Sequence, residues 1–262
     1  MEHLSEKGFS FIAEPWPVVP GRPVVVCVHG AGMSGYFWVR QVQGLSPVAN
    51  MVAIDLPGHG GSRFAGADTV EAYAGHVLVF VEAFGFDGPV LCGHSMGGAV
   101  TQHLLVSHPG RFAGGILANT GARLKVLPLV FETLKKGMQA FADLTLATAI
   151  CPQNKTDKTE QIIQKAAVAD PVVAMGDFTA CNTFDLMDRI GEIAVPVLVI
   201  GATDDLSTPA KYAVFLADRI PGAHLLVMES AGHMAPLEKP DEINGAVVDF
   251  LKEVLHRGGD SW

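Results

Sequence analysis

The sequence is poor in charge and in cysteine, and it has no long apolar run. Charged residues are only 17% of the 262, and 27 acidic side chains outnumber 18 lysines and arginines. The resulting net charge of −9 excludes nucleic acid and anionic membrane surfaces as partners, because both are held by basic patches. No stretch reaches the apolar length that a membrane span needs. After Met1 the residues are polar, where a secretory leader would carry an apolar segment. The expected compartment is the cytoplasm. Four cysteines (Cys27, Cys92, Cys151 and Cys181) form no C-x-x-C pair. They are expected as small hydrophobic side chains, with neither a disulfide nor a metal site. No cofactor is expected, and nothing in the composition decides the oligomeric state.

Hydrophobic residues, by contrast, make up 49%, enough to bury a large core in one α/β domain with an insertion. Val24–Val28 is a continuous β-branched run, the pattern of a strand buried on both faces of a parallel sheet. Further short strands are predicted at Phe9–Ile12, Met51–Ile54, Pro89–Cys92, Gly115–Asn119, Val197–Ile200 and Leu225–Met228. Val77, Phe80, Val81 and Phe84 repeat at helical spacing between them, and Ile243, Ala246, Val247, Phe250, Leu251 and Val254 form a stripe on a closing helix. Thr208-Pro209 reads as an N-cap and first helical residue. This alternation predicts a mostly parallel β-sheet with helices on both faces.

Between about 121 and 193 the rhythm changes. Leu127, Phe131, Leu134, Met138 and Phe141 step by four and three, and Asp157 with Glu160 resembles a capping box opening a second helix. No strand is predicted there. The domain reading is a core of residues 1–121 and 194–262 with a helical insertion of residues 122–193.

The chemistry gathers at strand ends, where α/β sheets bind ligands. Gly93-His94-Ser95-Met96-Gly97 stands between a predicted strand and a predicted helix, the context of a nucleophile elbow that exposes the Ser95 hydroxyl. A serine is a weak nucleophile until a base takes its proton, and the base needs an orienting acid. His233, in a Gly-containing loop after the last strand, is the candidate base. Asp204 and Asp205 both follow the Val197–Ile200 strand, giving the order Ser, Asp, His. The N–H of Met96, just after the nucleophile, is one candidate oxyanion donor. His29, Asp55, His59 and His94 have catalytic side chains but are expected to brace these loops.

Taken together, His29-Gly30, Asp55-Leu56-Pro57-Gly58-His59-Gly60, Gly93–Gly98, Asp205–Pro209 and Gly232-His233 span nearly the whole chain and resemble the α/β-hydrolase superfamily. The resemblance implies the α/β-hydrolase fold, a helical cap over the site and acyl transfer. It points to Ala31 as the second oxyanion donor, with Gly32 as a near alternative. The family's spacing before Pro209 selects Asp205 as the acid, whereas its spacing after a glycine, counted from Gly201, selects Asp204. Counting from Pro196 again favours Asp205. Serine at the elbow sets the chain apart from relatives with a carboxylate nucleophile, the haloalkane dehalogenases and epoxide hydrolases. The function expected is that of a serine esterase acting on a small-molecule ester. Alternatives are a carbon–carbon bond hydrolase of ring-cleavage products, a cofactor-free perhydrolase and a non-enzymatic ligand receptor. The apolar residues of the insertion, with Met33, Tyr36, Phe37 and Trp38, are expected to line an apolar pocket.

Overall fold

A computed structural model describes residues 3–168 and 170–257; Met1 and Glu2, where the N-terminal reading began, lie outside it. The β-branched run becomes the middle of an eight-stranded sheet. Its strands are β1 (Leu4–Glu6), β2 (Phe9–Glu14), β3 (Val24–Val28), β4 (Asn50–Ile54), β5 (Val90–His94), β6 (Gly114–Ala118), β7 (Val197–Ala202) and β8 (His224–Met228). They lie in the order β1-β2-β4-β3-β5-β6-β7-β8. β1 with β2 and β2 with β4 pair antiparallel at one edge, and every other pairing is parallel. β3, β5 and β6 stand side by side in the interior, which is why their side chains are apolar on both faces. Cys27 and Cys92 are register partners on β3 and β5, and all four cysteines are buried free thiols.

Helices cover both faces: α1 (Val39–Leu45), α2 (Val70–Ala83), α3 (Met96–Ser107), then α4 (Pro128–Lys135), α5 (Met138–Thr148), α6 (Asp157–Ala166) and α7 (Pro171–Thr183), followed by α8 (Ala210–Arg219), α9 (Ala235–Glu238) and α10 (Pro240–Arg257). Val77, Phe80 and Val81 of α2 pack with Leu91 and Val100 in one core layer, and Ile243, Val247 and Phe250 of α10 pack with Val25 and Ile116 in the other. The whole stretch between β6 and β7 contributes helices α4 to α7 and, among the described residues, one isolated bridge, Arg123 to Asp185. No helix among the described residues is long and apolar enough to cross a membrane.

Three local expectations are corrected. The apolar steps from Leu127 to Phe141 are not one helix, because Gly137 at φ 110° ends α4 and N-caps α5. α6 is capped by Thr156, whose hydroxyl accepts the Thr159 N–H, so Asp157 is the first helical residue and acts on the helix dipole. α8 starts at Ala210 with Pro209 at its N-cap, and the Thr208 hydroxyl is directed elsewhere.

Candidate active site

β5 runs directly into α3, and Ser95 is the single residue between them, at φ 53° and ψ −116°. A positive φ in a residue other than glycine costs on the order of 1–3 kcal/mol, and the surroundings hold it there. The Ser95 N–H donates to Ala118 O at 3.0 Å. Glycine at 97 is required by space: a Cβ there would run into the Val28 and His29 carbonyl oxygens at the end of β3. This close approach brings the elbow against the loop that follows β3.

His233 follows β8, and its Nε2 lies 3.1 Å from Ser95 Oγ. Its Nδ1 lies 2.9 Å from Asp205 Oδ2 and 3.1 Å from Oδ1. With a carboxylate on Nδ1, that nitrogen carries the proton and Nε2 presents its lone pair to the serine. Asp205, not Asp204, makes this contact; Asp204 sits at the surface, accepting from its neighbour Thr203. The Asp205 carboxylate is buried and saturated. Oδ1 accepts the Ser207 and Thr208 N–H groups, both at 2.8 Å, and Oδ2 accepts Thr208 Oγ1 at 2.7 Å and Asn119 Nδ2 at 2.9 Å. Burial opposes its ionisation, but His233, these donors and Asn119 hold the carboxyl well below the usual carboxylate range. Thr208 and Asn119 were not among the expected site residues. Their signal was positional only: one stands three residues after the acid, the other at a strand's carboxyl end.

Of the two amides weighed on the loop after β3, Gly32 N–H is already donated to Asp177 Oδ2 at 2.7 Å. Ala31 and Gly30 face the cavity beside Ser95. Met96 opens α3, so its N–H has no acceptor within the helix.

His29, Asp55, His59 and His94 hold backbone. His29 Nδ1 donates to Gly30 O at 2.9 Å while Nε2 accepts the Leu56 N–H at 3.1 Å. Burial lowers its pKa to about 4. His94 Nε2 donates to His233 O at 2.8 Å and its ring stacks on Phe37; burial, with the neighbouring His233, lowers its pKa to about 3. Asp55 accepts from Ser10 Oγ and from the Gly35 and Gly61 N–H groups, and His3 lies 3.0 Å away. Burial works against its charge, but these partners draw its pKa down to about 2. Both ring nitrogens of His59 face oxygens, Pro57 O at 2.9 Å and Asp177 Oδ2 at 2.7 Å. A ring donating on both sides is an imidazolium. Burial disfavours that charge, and the Asp177 carboxylate outweighs it, raising the pKa.

Above Ser95 lies a cavity of about 300 Å³ lined on one side by Leu127, Leu129, Val130 and Phe141 and on the other by Met33 and Met234. The expected aromatics do not join them. Phe37 and Trp38 lie in the buried core under His94, and Tyr36 packs beside that core with Lys165 over its ring. Two hydroxyls of the lining are turned to backbone: Thr145 donates to Phe141 O and Thr148 to Leu144 O. Among the described residues Lys125 is the one lysine or arginine in the lining, and its ammonium donates to Asn182 O at 3.2 Å.

A mostly parallel sheet, a strand–serine–helix elbow and a histidine loop after the last strand define an α/β hydrolase. Residues 25–246 match the model of the alpha/beta hydrolase family, and the chain belongs to that family and is a hydrolase. Among solved structures it resembles a thermophilic esterase, 34% identical with a TM-score of 0.81 over 97% of each chain. The enol-lactonase of Burkholderia xenovorans LB400 is 26% identical with a TM-score of 0.86, over 96% of this chain and all of that one. A putative carbamate hydrolase, RutD, of Rhizobium rhizogenes is 26% identical over 89% of this chain and 94% of its own.

Proposed function

We propose that the chain is a serine hydrolase that cleaves small to medium, uncharged carboxylic esters through an acyl-enzyme. Residues 122–193 are read as a cap over a core of residues 1–121 and 194–262. One observation carries the reading: the Ser95 hydroxyl lies 3.1 Å from His233 Nε2 at the floor of an apolar cavity.

His233 takes the Ser95 proton as Oγ attacks the ester carbonyl, and Asp205 stabilises the imidazolium that forms. The negative charge on the former carbonyl oxygen falls to the Ala31 and Met96 N–H groups. Collapse of the tetrahedral intermediate expels the alcohol, which receives the proton from His233. Water then repeats the sequence on the acyl-serine and releases the acid. A lactone is the same bond with its alcohol tethered, and the likeness to an enol-lactonase brings lactones within the reading.

The choice of uncharged substrates follows from the lining. A carboxylate-bearing substrate needs a cation to replace its water, and among the described residues the lining supplies one, the exposed Lys125, whose ammonium also donates to Asn182 O. The test is a panel of p-nitrophenyl esters, lactones and anionic vinylogous diketones. Each added methylene contributes at most about 0.8 kcal/mol, so kcat/KM is expected to rise severalfold from acetate to butyrate and to fall for long chains. Diketones cleaved faster than every neutral ester would replace this reading with carbon–carbon hydrolysis.

A further inference from the structure

Asp177 is absent from the motifs that mark the site, yet it is fully buried and joins three separate parts of the chain. It lies on α7. Its Oδ2 accepts the Gly32 N–H and His59 Nε2–H, both at 2.7 Å, and its Oδ1 accepts the Tyr73 hydroxyl. The neighbouring peptide is held from the same side: Val168 N–H donates to Gly32 O at 2.9 Å. Gly30 O receives His29 Nδ1–H and the Met33 N–H. Among the described residues the Ala31 N–H is left without a protein acceptor.

We propose that Asp177 is a positioning residue for the oxyanion donor at Ala31, resting on the serine-hydrolase reading above. Gly32 sits at φ +70°, and a glycine rotates away from such a turn at little cost. The acceptor on α7 fixes the 31–32 peptide plane and keeps the Gly32 N–H turned from Ser95, so that Ala31 presents the donor. Oxyanion stabilisation depends on donors aligned before the charge develops. The cap thereby completes the oxyanion site as well as enclosing the substrate. The carboxylate is itself preset, since the doubly donating His59 and the Tyr73 hydroxyl fix both of its oxygens.

The test compares p-nitrophenyl butyrate with its thionoester, in which sulfur replaces the carbonyl oxygen. Sulfur is larger and accepts hydrogen bonds weakly, so an aligned donor set discriminates against it and a misaligned set discriminates less. Asp177→Ala is expected to lower kcat on the oxygen ester about tenfold to a hundredfold, below or near the loss of one whole donor. KM should stay within about threefold by the same reasoning, and the oxygen-to-sulfur ratio of kcat/KM should fall with kcat. Asp177→Asn keeps an amide oxygen for the Gly32 N–H and is expected to recover most of the lost kcat and the ratio. Asp177→Ser, too short to reach Gly32, gives the same readout if the alanine variant does not fold. A folded variant with an unchanged ratio overturns the inference, whatever its stability. Ser95→Ala measured alongside separates the two levels. If it is inert while Asp177→Ala is unaffected, only this inference fails; if it is active, the serine reading fails and this one with it.

Discussion

Asp205→Asn is the substitution whose outcome the geometry fixes most tightly. Asparagine keeps the shape but turns one acceptor oxygen into an NH₂ donor. Oδ1 faces the Ser207 and Thr208 N–H groups, which cannot reverse their polarity. Oδ2 faces the Thr208 hydroxyl, which rotates, the Asn119 side-chain amide, which can flip to present its oxygen, and His233 Nδ1, which can change tautomer. The amide oxygen therefore takes the Oδ1 position and its NH₂ points at His233. The imidazole then accepts on Nδ1 and carries its proton on Nε2, toward Ser95, so it is no longer a base. Loss of the correct tautomer in a serine–histidine–aspartate site costs about 10⁴ in kcat. Steady-state kinetics with p-nitrophenyl butyrate should show that loss with KM little changed. Asp204→Asn touches only Thr203 and should cost less than about tenfold, the usual limit of a surface polar change. A folded Asp205→Asn retaining a tenth of wild-type kcat, or an Asp204→Asn that is worse, would refute the reasoning.

Stability should fall on mild acidification. His29 and His94, with pKa values lowered to about 4 and about 3, stay neutral in the folded chain while the unfolded chain protonates near 6.5. Their contribution is present above that value and is lost as pH falls through the gap, together about 4 kcal/mol between pH 7 and pH 5. His59 has the opposite sign: its raised pKa adds stability as pH falls toward about 6.5 and contributes fully below it, so it offsets only a small part of the loss. Urea unfolding at pH 7, 6 and 5 measures this, and a flat profile would contradict the neutral assignments. Gly97→Ala drives a Cβ into two backbone carbonyls of the β3 end; it should destabilise by about 1–3 kcal/mol or more and lower kcat as the elbow parts from the oxyanion loop, read by denaturation and kinetics together.

What the sequence disclosed follows how local each signal is. The elbow was readable because its requirements, a glycine on each side of Ser95 and a strand-to-helix change, lie within a dozen residues. The parallel sheet was readable from Val24–Val28, because burial on both faces leaves no alternation. β1 (Leu4–Glu6) was not, because a three-residue edge strand carries no pattern. Asp204 and Asp205 were separable only by spacing arguments that disagreed. The side-chain direction that decides between them depends on where β7 ends, and there the two residues diverge: one faces His233, the other solvent. Asp177 was unreadable for a stronger reason. Its partners stand 145, 118 and 104 residues away, and in sequence it is one aspartate in an apolar helix. The break at Gly137 shows the converse error, where a regular apolar step continues across a residue that the backbone uses to stop one helix and start another.

The central claim is that Ser95 carries the acyl group. The most direct measurement is intact and peptide mass spectrometry of the protein quenched during turnover of p-nitrophenyl butyrate, with Ser95→Ala run beside it. The account predicts one butyryl group on the peptide containing Ser95, a burst of p-nitrophenol, and a folded Ser95→Ala variant with kcat lower by about 10⁶. Turnover without a labelled Ser95, or a folded Ser95→Ala that keeps a tenth of the activity, would contradict it.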